Sequence, residues 1–383
     1  MRTNVLFSGF LLVFFCNGLQ SQNTWVQKAD LVGNARKCAV GLSIGNKGYV
    51  GMGEAPNYSR DFWEYDPAND TWTQKADFGG TARIFAVGFS IGNKGYVGTG
   101  WSSSAQEVDF WEYDPANNSW IQKADFAGTV SQLKVGFSIG NKGYVGLGSG
   151  TTEFWEYNPN NDTWSQKANF PGLSRNDAVG IAIGSIGYVG LGDNKTDWWA
   201  YDPSNDTWTQ KTSFSGTASS YLTGFSIAGS GYVRIPSSFQ FWEYDQAADS
   251  WTQRTDYGNI YNASAVSFSI GNKGYIGTGG DTNGNIRSLW EYTPLSTGIK
   301  STVTESEMTV FPNPTDGKFR IGPGQLNAEK IEIWNATGKK VYSDTNLKQR
   351  FSEEIDLSAL AKGVYSVKIY KGKEVHNTKV VVR

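Results

Sequence analysis

The sequence predicts an all-β fold, a six-bladed β-propeller closed by an N-terminal strand and followed by a small C-terminal β-sandwich. Three observations carry this. A phrase built from Gly-Tyr-Val-Gly, Phe-Trp-Glu-Tyr-Asp-Pro and Trp-Thr-Gln-Lys-Ala recurs along the chain. Its last tryptophan falls at Trp25, Trp72, Trp120, Trp164, Trp208 and Trp251, a spacing of 43–48 residues that suits a propeller blade. The composition agrees: 46 glycines and 15 tryptophans, against only 18% charged residues, mark short aromatic strands between many turns. The phase of the repeat supplies the third observation. The chain enters with a lone fourth strand at 23–28 and leaves its last unit after Leu289-Trp290-Glu291-Tyr292 without one. The two fragments complete each other, which joins the ends of the ring and removes an exposed strand edge.

The elements follow in order. Met1-Arg2-Thr3-Asn4 and the apolar run from Val5 to Phe15 read as a signal peptide over residues 1–21. The run is about half the ~20 residues that a membrane-spanning helix needs, so no span is expected in the mature chain. Phe15 precedes Cys16 where a lipidation signal favours a small residue, which argues against a lipid anchor. Cleavage near Ser21 leaves Cys38 as the one cysteine, so packing rather than a disulfide holds the fold.

The propeller is assigned to residues 22–295. In the second unit, Val87 to Ile91 is a strand, Gly92-Asn93-Lys94-Gly95 a hairpin turn suited to positive φ, and Tyr96 to Gly98 the start of the partner. Phe110 to Tyr113 makes the third strand. Asp114-Pro115-Ala116-Asn117-Asn118 turns the chain into a fourth strand that carries Trp120. Twelve tryptophans hold repeat positions, two per blade, and are read as core between neighbouring blades. The repeat resembles the kelch family on Tyr65-Asp66-Pro67 with Trp72 and Tyr113-Asp114-Pro115 with Trp120. It departs from that pattern in using Gly-x-Gly, as in Gly51-Met52-Gly53, where the family has a glycine pair. The doublet survives only at Gly279-Gly280, and Arg234-Ile235-Pro236 in blade five has no glycine.

Turns joining strands one to two and three to four are short and nearly invariant. Loops joining strands two to three, and successive blades, vary in length and content, so the ligand is expected on that face. Tyr58 and Trp101 are candidates there, the latter outside the repeat register and expected to be exposed. Arg36, Arg83 and Arg175 occupy equivalent places before the first strand of blades one, two and four, where the other blades carry Ser131, Ser219 and Asn262. Three arginines at one opening suit an acidic sugar or carboxylate held through bidentate contacts. The alternative is that they bond loop carbonyls within the scaffold. The variable loops also carry carboxylates such as Glu54, Glu107, Asp109, Asp193 and Asp281, which could supply a carboxylate pair.

The sole histidine is His376, outside the ring, so the propeller has no imidazole for acid–base catalysis or a metal. No metal, cofactor or catalytic residue is assigned. A formal charge of −2 gives no basic footprint for nucleic acid, and a monomer is expected. The resulting reading is a secreted or cell-surface binding protein with a glycan or protein ligand on the variable face. The kelch resemblance implies an alternative, a carbohydrate-active enzyme such as a sugar-acid mutarotase.

After a polar linker, residues 296–307, the composition changes. Met308-Thr309-Val310-Phe311-Pro312-Asn313-Pro314, Gly317-Lys318-Phe319, Ile331-Glu332-Ile333-Trp334-Asn335, Gly338-Lys339-Lys340-Val341 and Gly363-Val364-Tyr365-Ser366-Val367-Lys368-Ile369 follow in order. Apolar alternation between Gly and Asn turns predicts short antiparallel strands in a sandwich. Residues 308–383 resemble the type A sorting domain of the type IX secretion system of Bacteroidetes. That resemblance implies export in two steps, with the secretion machinery as partner, and delivery to the medium or the outer-membrane surface.

Overall fold

The computed structural model describes residues 23–256, 258, 261–281, 283–294, 309–311, 313, 315–322, 330–335, 338–345, 355–371 and 374–383. The signal peptide expected over 1–21 and the linker expected over 296–307 lie outside the described residues, as do Met308, Pro312 and Pro314 of the tail. The chain divides into two compact units, Met1–Ser296 and Thr297–Arg383. Among the described residues no helix is long and apolar enough to cross a membrane.

The first unit consists of six four-stranded antiparallel blades. Blade two is typical, with strands Val87–Ile91, Lys94–Gly98, Phe110–Asp114 and Ser119–Lys123. Along the first strand of each blade the side chains alternate strictly, as the two-residue period of a strand requires. In blade two Val87, Phe89 and Ile91 are buried between blades, while Gly88 and Ser90 are half-buried along the axis. All six first strands repeat this pattern. Blade six packs on blade one as the others pack on their neighbours: a Cβ added at Gly41 would meet Val266 at 2.7 Å, and one at Gly48 would meet the Phe268 ring at 2.4 Å. Where the repeat departs from this, both partners change together. Ser267 stands in the glycine position of blade six and faces Thr223, which stands in a valine position. Thr223 Oγ1 donates to Ser267 Oγ, which donates onward to the Gly224 carbonyl, each at 2.7 Å.

The sixth blade is completed by the N-terminal strand. Thr24–Lys28 pairs antiparallel with Leu289–Thr293, Thr24 opposite Thr293 and Lys28 opposite Leu289. A repeated clasp shows why this segment substitutes for a local fourth strand. In blade one, Asp70 sits in the left-handed region at φ 53°, which Asp and Asn tolerate. Its carboxylate accepts the Tyr65 hydroxyl at 2.8 Å and the Ala29 N–H at 2.9 Å, while Trp72 Nε1 donates to the Ala29 carbonyl at 2.9 Å. Both backbone groups of one linker residue are thus satisfied by the next blade. The same set recurs around Ala76, Ala124, Ala168 and Thr212. In blade six Asn23, at φ 60°, takes the turn position. It accepts the Tyr292 hydroxyl at 2.8 Å, and Trp25 Nε1 donates to the Thr255 carbonyl at 2.9 Å. The repeat tryptophans lie between blades, as with Trp120 edge-on to Phe62 at 5.0 Å, though many stay half-buried because their indole N–H reaches a loop.

The second unit is a sandwich. Strands Thr309–Phe311, Lys318–Gly322 and Ile355–Asp356 form one sheet. The other runs Lys340–Asp344, Lys330–Trp334, Gly363–Lys371, Glu374–Val382. Phe319 and Ile355 of the first sheet share one core with Ile331, Ile333, Val367 and Ile369 of the second.

Candidate binding site at the channel mouth

Loops between strands two and three are stapled to the inter-blade loops, which places both on one face. Glu54 and Lys37 exchange backbone hydrogen bonds, Gly53 donates to the Arg83 carbonyl, and Asn194 donates to that of Ser219. Tyr58 lies on this face in the hairpin of Glu54–Ala55 and Asn57–Tyr58. Trp101 is half-buried rather than exposed, because Trp101–Ser102 ladders with Arg83–Ile84.

The three arginines lie beneath this surface. Arg36 and Arg83 are 0% exposed and Arg175 is 2%. Arg36 grips Asp61 through both terminal nitrogens at 2.6 Å and donates to the carbonyls of Asn34 and Met52. Arg175 does the same with Asp197 and the carbonyls of Leu173 and Leu191. Arg83 pairs with Asp109, the Thr81 carbonyl and hydroxyl, and the Thr99 carbonyl, which uses all five of its N–H groups. Burial alone would push the Asp61 carboxyl up, but hydrogen bonds from Arg36, Ser59 and Trp63 outweigh it and hold the group below the usual range; Asp197 behaves alike with Arg175 and Trp199. Of the two roles open to these arginines, the geometry supports the scaffold one. Each ties a loop to its own blade, and each guanidinium is buried against its own aspartate.

Blades without the arginine fill the same place by other means. In blade three Ser131 is joined by Lys134, whose ammonium donates to the Thr129 carbonyl, the Ser131 hydroxyl and the Leu147 carbonyl at 2.9, 3.1 and 3.3 Å. It lies 5.0 Å over Phe126, as Arg175 lies 5.0 Å over Phe170. Burial pulls Lys134 down to about 8 against the pull of Glu153. In blade five, where the sequence has no glycine at Arg234-Ile235-Pro236, the second strand extends over Ser230–Ile235. Arg234, 1% exposed, pairs with Asp256 and donates to Asn262, whose amide reaches the Thr278 carbonyl in blade six.

Two residues beyond the arginine position the chain reaches the axis. Cys38, Phe85, Leu133, Asp177, Tyr221 and Ser264, one from each blade, line a cavity of about 180 Å³. All six have left-handed backbone, φ 53–60°. Below them follow a ring with four alanines, Lys134 and Leu222, then valine and glycine rings in which five of six members are the same, then serines Ser43, Ser90, Ser138, Ser226 and Ser269, with Ala182 in blade four, towards the far end. The scaffold therefore repeats down the axis and diverges most at the mouth. Burial, and then the charge of Asp193, push the Asp177 carboxyl up to about 6, against a hydrogen bond from the Tyr221 N–H. Burial raises the Cys38 thiol to about 11, which makes it a poor nucleophile. The mouth residues were not singled out from the sequence. Their signal was the loss of similarity at one repeat position flanked by similar ones.

Comparison with known proteins now bears on each unit. Residues 309–383 match the family described as "Secretion system C-terminal sorting domain". The tail is a sorting domain. The sorting domain directs export by the type IX system, so the protein reaches the cell surface or the extracellular space. Among solved structures, one described as "Structure of YjhT", a kelch-type β-propeller, is similar with a TM-score of 0.57 at 17% identity, over 68% of this chain and 95% of that one. At that identity the likeness shows the fold. A comparison with curated proteins gives no match.

Proposed function

We propose that this exported protein is a binding protein that engages a glycan or protein ligand on the variable face of the propeller, centred on the channel mouth. One observation carries the reading: six topologically equivalent residues with the same backbone conformation bear six different side chains, above valine, glycine and serine rings in which five of six members are the same. Left-handed backbone costs roughly 1–2 kcal/mol for residues with a Cβ. Phe85 and Leu133 are half-buried and Tyr221 is exposed at such positions, whereas Met52 and Leu191, at similar φ, are fully buried in the scaffold. A rigid ring presenting varied side chains around a small concavity is a binding arrangement. The mutarotase alternative draws on the arginines, whose donors are engaged by their own aspartates, so binding is the better-supported reading. The test is a screen of the full-length protein against glycan and peptide arrays, alongside Tyr221→Ala, Phe85→Ala and, as a control on the opposite face, Lys47→Ala. Ligand capture weakened by the two mouth substitutions and indifferent to the control is expected. Capture indifferent to both mouth substitutions would sink the proposal.

A further inference from the structure

Among the half-buried carboxylates of the variable face, Asp177 stands apart. Asp61, Asp109, Asp197 and Asp256 each hold an arginine. Asp177 is the one carboxylate lining the mouth cavity, and no arginine or lysine pairs with it among the described residues. Lys134, the one cation among the lining residues, is turned to three oxygens of its own blade. A carboxylate taken out of water without a counter-charge is costly, and a ligand cation removes that cost.

The local backbone supports the same role. On the side of blades six, one and two, the mouth residues are linked main chain to main chain: Cys38 N–H donates to the Ser264 carbonyl and Phe85 N–H to that of Cys38, both at 3.1 Å. Between blades four and five the Asp177 carboxyl lies beside the corresponding N–H, that of Tyr221, which favours its charged form against the effect of burial. The carboxylate therefore keeps acceptor capacity for a guest. Tyr221 beside it is 45% exposed and Phe85 lies in the opposite wall. An aromatic next to a carboxylate is a setting for an ammonium group.

Resting on the binding reading above, we infer that the channel mouth binds an amino sugar, with Asp177 as the counter-charge of its ammonium group and Tyr221 and Phe85 as the walls against its ring. A cavity of about 180 Å³ lies below the ~300 Å³ at which drug-sized pockets begin and suits one sugar ring. The Ser264 hydroxyl, also in the lining and beside the Cys38 thiol, keeps acceptor capacity for a sugar hydroxyl, which an alkyl ammonium such as a lysine side chain would not use.

Calorimetric titration of the full-length protein with glucosamine, N-acetylglucosamine, glucose and Nα-acetyl-lysine amide tests this, with Asp177→Asn and Tyr221→Ala as variants and thermal unfolding as the check on folding. Glucosamine should bind the wild type at least tenfold more tightly than its acetylated form or glucose. Asp177→Asn should lose tenfold to hundredfold of that affinity while remaining folded, and Tyr221→Ala should lose severalfold. Equal affinity for glucosamine and glucose, preference for the lysine amide, or indifference to Asp177→Asn would each overturn the assignment. Array binding to other glycans that survives Asp177→Asn would overturn it too while leaving the broader binding reading intact; absence of any array ligand would remove both.

Discussion

Replacing Asp177 by Asn should make the propeller more stable at neutral pH and should not do so in acid. The carboxyl is pushed from 3.8 to about 6 by burial and by Asp193, and each tenfold change in proton affinity corresponds to about 1.4 kcal/mol. Ionised Asp177 therefore costs the folded state roughly 3 kcal/mol at pH 7 and above, and about 1–3 kcal/mol is the gain expected from the variant, since Asn keeps an acceptor for the Tyr221 N–H. The sign follows from the direction. With the folded value above the unfolded one, the folded chain binds the proton more tightly between about pH 4 and 6, so the wild type loses stability as pH rises through that window. Below about pH 4 both states are protonated and the two proteins converge. Urea unfolding followed by tryptophan fluorescence at pH 7.5 and pH 4, with thermal scans alongside, measures the difference; a shift of several degrees is expected at pH 7.5. Destabilisation by Asp177→Asn at pH 7.5, or the same gain at both pH values, would refute the reasoning. A gain in stability joined to a loss of amino-sugar binding would mark Asp177 as retained for function.

Arg83→Ala should destabilise the propeller by about 3–5 kcal/mol, because Asp109 then stays beneath the loops without its counter-charge, and a double-mutant cycle with Asp109→Ala should show strong coupling in chemical denaturation. Asp70→Ala should cost roughly 2–4 kcal/mol by orphaning the Ala29 N–H and the Tyr65 hydroxyl and straining a positive φ, whereas Asp70→Asn should be nearly neutral in the same melts, since Asn118 already serves blade two. Trp25→Ala together with Asn23→Ala should open the ring at blade six and raise proteolytic cleavage within residues 23–28 and 289–293 well above that of an equivalent pair in blade two. Deleting residues 309–383 should leave the propeller in the periplasm on cell fractionation; continued appearance in the medium would contradict the sorting role.

The blade count, the strand order and the need for an N-terminal strand were legible in the sequence because each blade is a local antiparallel meander, and a period of strands and turns survives in one dimension. The address was equally legible, since the tail carries its motifs in order. The fate of Arg36, Arg83 and Arg175 was not. Whether a guanidinium faces a ligand or an aspartate 22–26 residues onward depends on how the loop folds back over its blade. Lys134 and the Arg234–Asn262 pair were invisible for the same reason: they restore one interaction from different positions in the chain. The mouth is the clearest case. Cys38, Phe85, Leu133, Asp177, Tyr221 and Ser264 lie more than 40 residues apart from one to the next, and only closure of the ring brings them to one rim. The repeat thus determined by itself what must be the same in every blade. What differs, and so what can recognise a ligand, acquires meaning only when six blades converge on one axis.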